Sequence, residues 1–247
     1  GAIYIFPYFL KKTHKFFSVF GGPHATFFPE IIYEEGCDAV CVGEGDISFP
    51  EYCRRVKHGE AYWETDNFIV KYKGRIHHNP LMPFIADLDS LPFPDRDLMY
   101  EADPDLLEEG HKVFFSTRGC PYKCTYCFNN KYNEMYKEKG SYLRHRSPEN
   151  VIEEIEQVKN QYLLDFVLIE DDSFLMKPKG WFERFCELYK KIKDRCYLVP
   201  DLDDLEAKLD TLVQPQDIVI TMGAGSIWRY GESYSKHLKS LADGVTG

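Results

Sequence analysis

The stretch from Arg118 to Phe128 reads RGCPYKCTYCF and places three cysteines at the spacing C-x-x-x-C-x-x-C. A short apolar run at residues 113–116 precedes it, so the cysteines are expected on a loop that leaves a strand. Pro121 and Lys123 suit an exposed loop better than a buried strand. Three thiolates this close together can bind three irons of an iron–sulfur cube, which leaves the fourth iron without a protein ligand. An open metal position is typical of catalytic sites.

The motif resembles the cluster loop of the radical S-adenosylmethionine enzymes, in which this loop follows the first strand of a barrel. The resemblance implies that Cys120, Cys124 and Cys127 hold a 4Fe–4S cluster. In that family the amino and carboxylate groups of S-adenosylmethionine occupy the open iron, and one electron from the cluster releases a 5′-deoxyadenosyl radical. Tyr126 matches an aromatic position that packs near the adenine in the family.

Two other interpretations of the cysteines stay open. With His111 or His145 as a fourth ligand, the three thiols could bind zinc, although zinc sites usually space their ligands as two separated pairs. The cysteines could also be core residues without a ligand, which the polar character of the loop disfavours.

The composition describes an acidic chain that can bury a substantial core. It has 247 residues, 44% of them hydrophobic, and a net charge of −10. Nucleic acid is an unfavourable partner for this charge, because nucleic-acid binders normally present a basic face. The eight cysteines are too few and too irregularly spaced for a disulfide scaffold. With neither a signal peptide nor a run long enough to span a bilayer, a reducing cytoplasm is expected. An upstream portion is also expected, because Gly1 lies inside what reads as folded sequence.

Residues 1–80 are predicted to form an α/β layer. Strands that alternate with helices and end in glycine favour a parallel sheet, and ligands of such sheets bind beyond the carboxyl ends of the strands. The predicted elements are a strand at 16–20, a short helix at 29–35, a strand at 38–42, a helix with Phe49, Tyr52, Cys53 and Val56 on one face, and a hairpin at 68–77.

Two glycine-rich loops follow the predicted strands of this layer. The motifs GGPHAT at 21–26 and GEGD at 43–46 resemble the last two strand-end loops of the cobalamin-binding domain that precedes the barrel in one large class of radical enzymes. Glycine lets a backbone pass close to a bulky ligand. The family's Asp-x-His-x-x-Gly loop, which supplies a histidine to cobalt in many related domains, has no match here, and ordinary strand-to-helix turns are the alternative. The cobalamin contacts that the resemblance implies are Gly21, Gly22, His24, Thr26, Gly43, Glu44 and Gly45.

Residues 81–112 are predicted to be a linker, because their run LDSLPFPDR at 88–96 is punctuated by proline and resembles the linker between the two domains of that class. Residues 113–195 are predicted to form a partial barrel. Its elements are a strand, the cysteine loop, a helix that begins at Ser147, a strand at 165–169 and a helix at 179–193.

An acidic run, Glu170-Asp171-Asp172, follows the second predicted barrel strand. Functional groups of α/β barrels lie at the carboxyl ends of the strands, so the acids and the cysteine loop are expected at the same mouth. There the carboxylate of Glu170 or Asp171 would accept hydrogen bonds from the methionyl ammonium or a ribose hydroxyl of S-adenosylmethionine. A solvated strand end or a helix cap is the alternative.

Residues 196–247 form a predicted α/β tail that does not continue the barrel pattern. The predicted elements are strands at 196–199 and 217–222 and a helix between them. The string QDIVITMGAGSIW at 216–228 looks similar to the end of UDP-N-acetylmuramate–L-alanine ligases. Its glycine-rich turn opens a helix and could cradle an anion. The ligase's ATP-binding central domain has no counterpart, so ligase activity is not predicted.

The predicted fold is therefore α/β: the C-terminal part of a Rossmann-like cobalamin-binding domain, followed by a partial (β/α) radical S-adenosylmethionine barrel. The resemblance implies an enzyme, or a fragment of one, with a 4Fe–4S cluster, S-adenosylmethionine and cobalamin as cofactors. A small-molecule substrate, which undergoes methyl transfer or rearrangement, and an external one-electron reductant are the implied partners. The alternatives are a non-catalytic metal-binding fragment and a protein related to the muramate ligases.

Overall fold

The computed structural model describes residues 2–108, 110–164, 166–192, 205–212, 233–234 and 236–238. The chain divides into two compact units. Unit 1 comprises residues 1–92 and 119–144, and unit 2 comprises residues 93–118 and 145–247. The cysteine motif thus belongs to unit 1, and the acidic run belongs to unit 2. The domain limits expected from the sequence stay predictions.

Helices and strands alternate through much of the chain. The helices are α1 (Ala2–Lys11), α2 (Gly22–Phe27), α3 (Ser48–His58), α4 (Arg96–Ala102), α5 (Asp105–Glu108), α6 (Phe128–Met135), α7 (Pro148–Gln161), α8 (Trp181–Tyr189) and α9 (Leu205–Asp210). The strands are β1 (Val19–Phe20), β2 (Ala39–Cys41), β3 (Phe68–Tyr72), β4 (Arg75–His78), β5 (His111–Phe114), β6 (Thr117–Arg118), β7 (Arg144–His145) and β8 (Phe166–Ile169). Short 3₁₀ turns cover Pro29–Tyr33, Tyr62–Glu64 and Leu88–Ser90.

Unit 1 contains a four-stranded sheet in the order β1-β2-β3-β4. β1 and β2 run parallel, with Val19 opposite Ala39. The hairpin of β3 and β4 joins this pair in antiparallel orientation, with Val40 opposite Ile69. The parallel arrangement expected for residues 1–80 therefore holds for the first two strands, and the predicted hairpin makes the whole sheet mixed.

Both faces of β2 are buried, since its side chains alternate between two apolar clusters. Val40 lies among the residues of α2 and the following turn, including Ala25 and Ile32. Ala39 and Cys41 lie on the other face with Tyr52 and Phe68. A strand buried on both faces reads as a continuous apolar run, which is the pattern that predicted β2.

Helix α3 forms where the sequence predicts it, but its predicted apolar face is wrong in part. Tyr52 is 2% exposed and stacks on Phe68 with ring centroids 4.3 Å apart. Phe49 is 45% exposed and Cys53 is exposed, so the buried face of the helix is narrower than the sequence predicts. The helix ends at Gly59, which adopts a left-handed conformation with φ 68°.

Unit 2 is built on β5 and β8, which pair in parallel with Val113 opposite Leu168. Helices α7 and α8 supply most of the apolar cluster that contains Phe114 of β5. Helix α7 begins as predicted: the Ser147 hydroxyl accepts a hydrogen bond from the Asn150 N–H at 3.1 Å, and Pro148 occupies the first helical position.

A buried ionic network also stabilises unit 2. Glu154 of α7 accepts hydrogen bonds from Arg96 at 2.9 Å and from Arg146 at 2.6 Å, and its side chain is 3% exposed. Arg96 also donates to the Val113 carbonyl at 2.8 Å. The last residue of the proline-punctuated run is thus the first residue of α4 and a member of the core.

Several predicted elements differ in extent. Helix α6 lies within a polar segment for which the sequence predicts no helix. Helix α8 begins at Trp181, after Gly180 at φ 83°, and is shorter than the predicted helix at 179–193. The predicted strands at 196–199 and 217–222 and the glycine-rich turn at 223–226 lie outside the described residues. In the part of the chain that the structure describes, no helix is both long enough and apolar enough to cross a membrane.

Candidate cluster and cofactor site

The cysteine loop lies between β6 and α6 in the sequence, and its three cysteines differ in exposure. Cys120 is 9% exposed, Cys124 is exposed and Cys127 is half-buried. The Cys127 N–H donates to the Cys124 carbonyl at 3.1 Å, so the last two cysteines share a turn. Cys127 is the N-cap residue of α6 and has an extended backbone. All three thiols are free of disulfide bonds.

Gly119 closes the loop at a position where only glycine fits. Its φ is +85°, and a Cβ atom built there would lie 1.9 Å from the Tyr142 carbonyl oxygen. An alanine would therefore be strained in its backbone and would collide with main-chain atoms that cannot move independently. The close approach brings together the two ends of the segment that carries the cysteines.

Helix α6 also holds the first cysteine. The Asn133 side-chain amide donates to the Cys120 carbonyl at 3.1 Å. Because α6 begins directly after Cys127, this bond ties the backbone of the first cysteine to the helix that follows the last one. The loop thus has a fixed path at both of its ends.

The donor chemistry of the loop suits an iron–sulfur cluster. Three thiols stand within eight residues, and thiolate is the ligand type that iron–sulfur clusters require. Within the described ranges, no three His, Cys, Asp or Glu side chains lie in an arrangement that could hold a metal ion, and this includes the three cysteines. The histidine of one zinc alternative, His145, belongs to unit 2, where its ring nitrogen lies 3.4 Å from the Thr117 hydroxyl.

The two glycine-rich motifs of unit 1 lie side by side. The first, GGPHAT at 21–26, was predicted to be a strand-end loop, but it forms most of α2, whereas GEGD at 43–46 is a loop as predicted. The Gly43 N–H donates to the Thr26 hydroxyl at 3.0 Å, and Thr26 is 5% exposed. This contact follows from the parallel pairing of β1 and β2, which brings their carboxyl ends to one edge of the sheet. Gly21, Gly22 and His24 are exposed, and the His24 ring lies against Phe28 with centroids 5.1 Å apart.

Helix α6 packs against α2, and Tyr136, the residue after α6, packs against the GEGD loop. Tyr136 approaches Gly43 so closely that a Cβ at Gly43 would lie 2.0 Å from the tyrosine oxygen. Phe27, in α2, contacts the rings of Phe128 and Tyr132 at centroid distances of 5.8 and 6.2 Å. In unit 1 the predicted cobalamin loops and the helix after the cysteines are therefore neighbours.

Glu44 contacts two residues that follow α6, Tyr136 and Arg144. Its N–H donates to the Tyr136 hydroxyl at 3.0 Å, and its carboxylate receives two hydrogen bonds from Arg144 at 2.9 and 2.8 Å. The side chains of Arg144 and Glu44 are 4% and 11% exposed. Burial raises the pKa of Tyr136, so the hydroxyl stays protonated at neutral pH. Gly45 lies nearby in the same loop, with its Cβ position 3.4 Å from the Cys41 sulfur.

In unit 2 the predicted acids follow β8 and have different surroundings. Glu170 is exposed, and its N–H donates to the Phe114 carbonyl at 3.0 Å. The Asp171 carboxylate is fully buried and accepts hydrogen bonds from the N–H groups of Ser116 and Thr117 at 2.7 and 2.9 Å. It also receives bonds from the Ser116 hydroxyl and, at 2.8 Å, from the Lys177 ammonium.

The pKa values around Asp171 follow from this burial. Desolvation acts to raise the pKa of Asp171, but hydrogen bonds from Lys177 and Ser116 outweigh it and hold that pKa below its usual value. Burial lowers the pKa of the Lys177 ammonium. It also lowers the pKa of His145, and the nearby Lys177 charge adds to that effect.

Three residues of these contacts have no role among the sequence predictions: Lys177, Tyr136 and Arg144. Lys177 lies six positions after Asp171, and Arg144 lies 100 positions after Glu44. No spacing rule for helices or strands connects such pairs. The only signal in the sequence was that Glu44 stands in a glycine-rich motif, where another residue can approach closely because glycine has no side chain.

The region around the cysteines matches a known protein family. The model of the Radical SAM superfamily matches residues 114–239, which is more than half of the chain. An uncharacterized methyltransferase of Pyrococcus horikoshii is 32% identical over 169 residues, which cover 66% of this chain and 35% of that protein. The anaerobic magnesium-protoporphyrin IX monomethyl ester cyclase of Cereibacter sphaeroides is 29% identical over 185 residues, which cover 68% and 27%.

A solved structure shares the fold. The radical S-adenosylmethionine methyltransferase TsrM of Kitasatospora setae, solved with cobalamin and a [4Fe-4S] cluster bound, aligns with a TM-score of 0.54 and 17% identity. The alignment covers 81% of this chain and 38% of TsrM. The chain thus spans about a third of the length of the relatives that it matches.

The resemblance to the muramate ligases that the sequence predicts is supported only by a short match. The UDP-N-acetylmuramate–L-alanine ligase of Geobacter sulfurreducens is 43% identical over 58 residues, which cover 23% of this chain and 13% of the ligase. This match is short and weak, whereas the superfamily match spans the cysteine loop, the acidic run and helices α6 to α8. The chain belongs to the Radical SAM superfamily.

Proposed function

We propose that this chain is a radical S-adenosylmethionine enzyme, or part of one, and that it binds a 4Fe–4S cluster through Cys120, Cys124 and Cys127. The observation that carries the proposal is the cysteine triplet itself, free of disulfide bonds, on a loop within the superfamily region at 114–239. Three thiolates at this spacing leave one iron open for a small ligand.

The bound cluster would supply one electron to break the sulfonium bond of S-adenosylmethionine. The residues in and beside the cysteine loop have different roles. The cysteine thiolates bind iron, and Gly119 and Asn133 hold the backbone that carries them. The Tyr126 ring is 92% exposed, which leaves its face available to pack against an adenine.

The two predicted acids are not equivalent candidates for S-adenosylmethionine. Asp171 has its carboxylate occupied by Ser116, Thr117 and Lys177. Glu170 is exposed at the carboxyl end of β8, where barrel enzymes place functional groups. We therefore favour Glu170 as the acid that binds the methionyl ammonium or a ribose hydroxyl, and the role of Asp171 at the ligand stays a prediction.

The reaction that follows radical formation is a finer proposal. The names of the relatives include a methyltransferase and a cyclase, which supports methyl transfer or rearrangement of a small molecule. Cobalamin is a proposed second cofactor, and the exposed Gly21, Gly22 and His24 are its best-placed candidate contacts. Support comes from TsrM, which was solved with cobalamin bound.

Anaerobic reconstitution with iron and sulfide, followed by dithionite and S-adenosylmethionine, tests the proposal. We expect about four irons and four sulfides per chain and the release of 5′-deoxyadenosine. Cys124→Ala should abolish both results. Cys186→Ala is the matched control, because this cysteine lies on α8 in unit 2. One zinc per chain without sulfide would instead support a metal-binding module without radical chemistry.

A further inference from the structure

Glu44 uses its backbone and its side chain to hold the segment that carries the cysteines. Its N–H donates to Tyr136, the residue directly after α6, its carboxylate binds Arg144 through two hydrogen bonds, and its carbonyl accepts from the Asn67 amide at 2.7 Å. These partners come from three separate parts of unit 1. A loop residue that served only as a turn would not need such a set.

The contact between Gly43 and Tyr136 supports the same conclusion. The absence of a side chain at Gly43 lets the tyrosine oxygen approach to 2.0 Å from the position that a Cβ would occupy. The Tyr136 ring also stacks on Phe84 with centroids 3.8 Å apart, and the Arg144 guanidinium lies 4.2 Å from the same Phe84 ring. The glycine that was predicted to admit a cofactor here admits the side chain of Tyr136.

A continuous path of contacts connects Glu44 with the first cysteine. Glu44 binds Tyr136, which caps the C-terminal end of α6, and Asn133 of α6 donates to the Cys120 carbonyl. Arg144 stands at the other end of the segment, two residues after Tyr142, whose carbonyl closes on Gly119. Displacement of either partner of Glu44 would therefore alter the path of the backbone that bears the thiols.

We propose that Glu44 is a positioning residue for the cysteine loop, which it holds through Tyr136 and Arg144. This role differs from the cobalamin contact that the sequence implies for Glu44. It deepens the proposed function, because the loop that Glu44 holds is the loop proposed to bind the cluster. Its first test does not depend on the cluster.

Glu44→Gln is the informative substitution, because it keeps the shape of the side chain and removes the charge that compensates the buried Arg144. Glu60→Gln is the matched control: Glu60 also pairs with an arginine, Arg54, at 2.8 Å, but both side chains are nearly half exposed. Amide hydrogen exchange of the metal-free chain should become about tenfold faster or more over residues 119–144 in Glu44→Gln. The hairpin of β3 and β4 should keep its rate, and Glu60→Gln should match the wild type throughout.

Tyr136→Phe provides a second variant that retains the stacked ring and removes only the hydroxyl. It should accelerate exchange over residues 128–135 in the same direction. After anaerobic reconstitution, Glu44→Gln should lose iron to a chelator faster than Glu60→Gln at a temperature where both keep the circular dichroism of the folded chain.

Unchanged exchange over residues 119–144 in both Glu44→Gln and Tyr136→Phe would overturn the proposal. Loss of cobalamin binding in Glu44→Gln with unchanged exchange would also overturn it and would assign the residue to the cofactor. A wild-type chain that assembles no cluster would contradict the proposed function, whereas the exchange experiment would still decide whether Glu44 holds the loop.

Discussion

Lys177 and Asp171 form an ion pair with an Nζ–Oδ2 distance of 2.8 Å, and neither side chain is exposed to solvent. The pair lies beside the carboxyl ends of β5 and β8, where Asp171 also accepts the N–H groups of Ser116 and Thr117. The carboxylate therefore orders the segment that leads from β5 towards Gly119. This arrangement gives Asp171 structural contacts in unit 2, and its binding of S-adenosylmethionine stays a prediction.

Removal of one partner of this pair should strongly destabilise the chain. Lys177→Met leaves the Asp171 carboxylate buried without its cation, and breaking such a pair typically costs about 3–5 kcal/mol. Denaturant unfolding should therefore show a large loss of unfolding free energy. The double variant with Asp171→Asn should recover part of it, since the uncompensated charge is gone.

Arg184→Met is the control for the buried pair. Arg184 bonds Glu149 at 2.6 Å, but their side chains are 49% and 54% exposed. Exposed ion pairs contribute little to the free energy of unfolding, because water solvates the separated charges. Equal losses of stability in Lys177→Met and Arg184→Met would contradict the role given to burial.

Gly119→Ala should disrupt the cysteine loop. The substitution places an L-residue at φ +85° and directs its Cβ into the Tyr142 carbonyl. Left-handed backbone alone costs roughly 1–2 kcal/mol, and the collision adds to it. Iron and sulfide content after reconstitution should fall well below that of the wild type.

Gly74→Ala separates backbone strain from the collision. Gly74 has φ +74°, yet nothing lies within 4 Å of the Cβ position. This variant should show a small loss of thermal stability and a normal iron content. If both alanine variants assembled the same amount of cluster, the close approach at Gly119 would not be required for cluster assembly.

Acidification should destabilise unit 2 through His145. Burial and the Lys177 charge lower the pKa of this histidine below its usual 6.5, so the unfolded chain binds the proton more readily. Stability should therefore fall as the pH drops from 6.5 through the folded-state pKa. The carboxylate of Asp171 does not contribute in this window, because its pKa is held below 3.8.

Thermal unfolding of the wild type and His145→Gln, measured at about pH 7.5 and about pH 5.5, checks the histidine effect. The wild type should lose more stability between the two conditions than the variant. An identical pH response in both proteins would show that another group is responsible.

The local elements were predictable where short-range patterns determine them. Continuous apolar residues predicted β2, and the serine and proline at Ser147-Pro148 predicted the start of α7. The hairpin at 68–77 was also predictable, since Gly74 favours a turn between its strands, and Lys73 and Gly74 both adopt positive φ there. Each signal resides within a few residues of the element that it specifies.

The long-range contacts were not predictable from a single sequence. Spacing within α7 does not reveal that Glu154 binds Arg96 and Arg146 in the interior of unit 2. Helix α6 carries many polar residues and lacks a strong apolar period, and the rings that contact it, Phe27 and Phe84, come from distant parts of the sequence. Such partners are brought together by the tertiary fold, which spacing rules do not describe.

The most direct test of the central proposal is the electron paramagnetic resonance spectrum of the anaerobically reconstituted chain after reduction with dithionite. The account predicts the signal of a reduced 4Fe–4S cluster that changes when S-adenosylmethionine binds, and its loss in Cys124→Ala. A colourless wild-type preparation without such a signal would contradict the assignment of Cys120, Cys124 and Cys127 as cluster ligands.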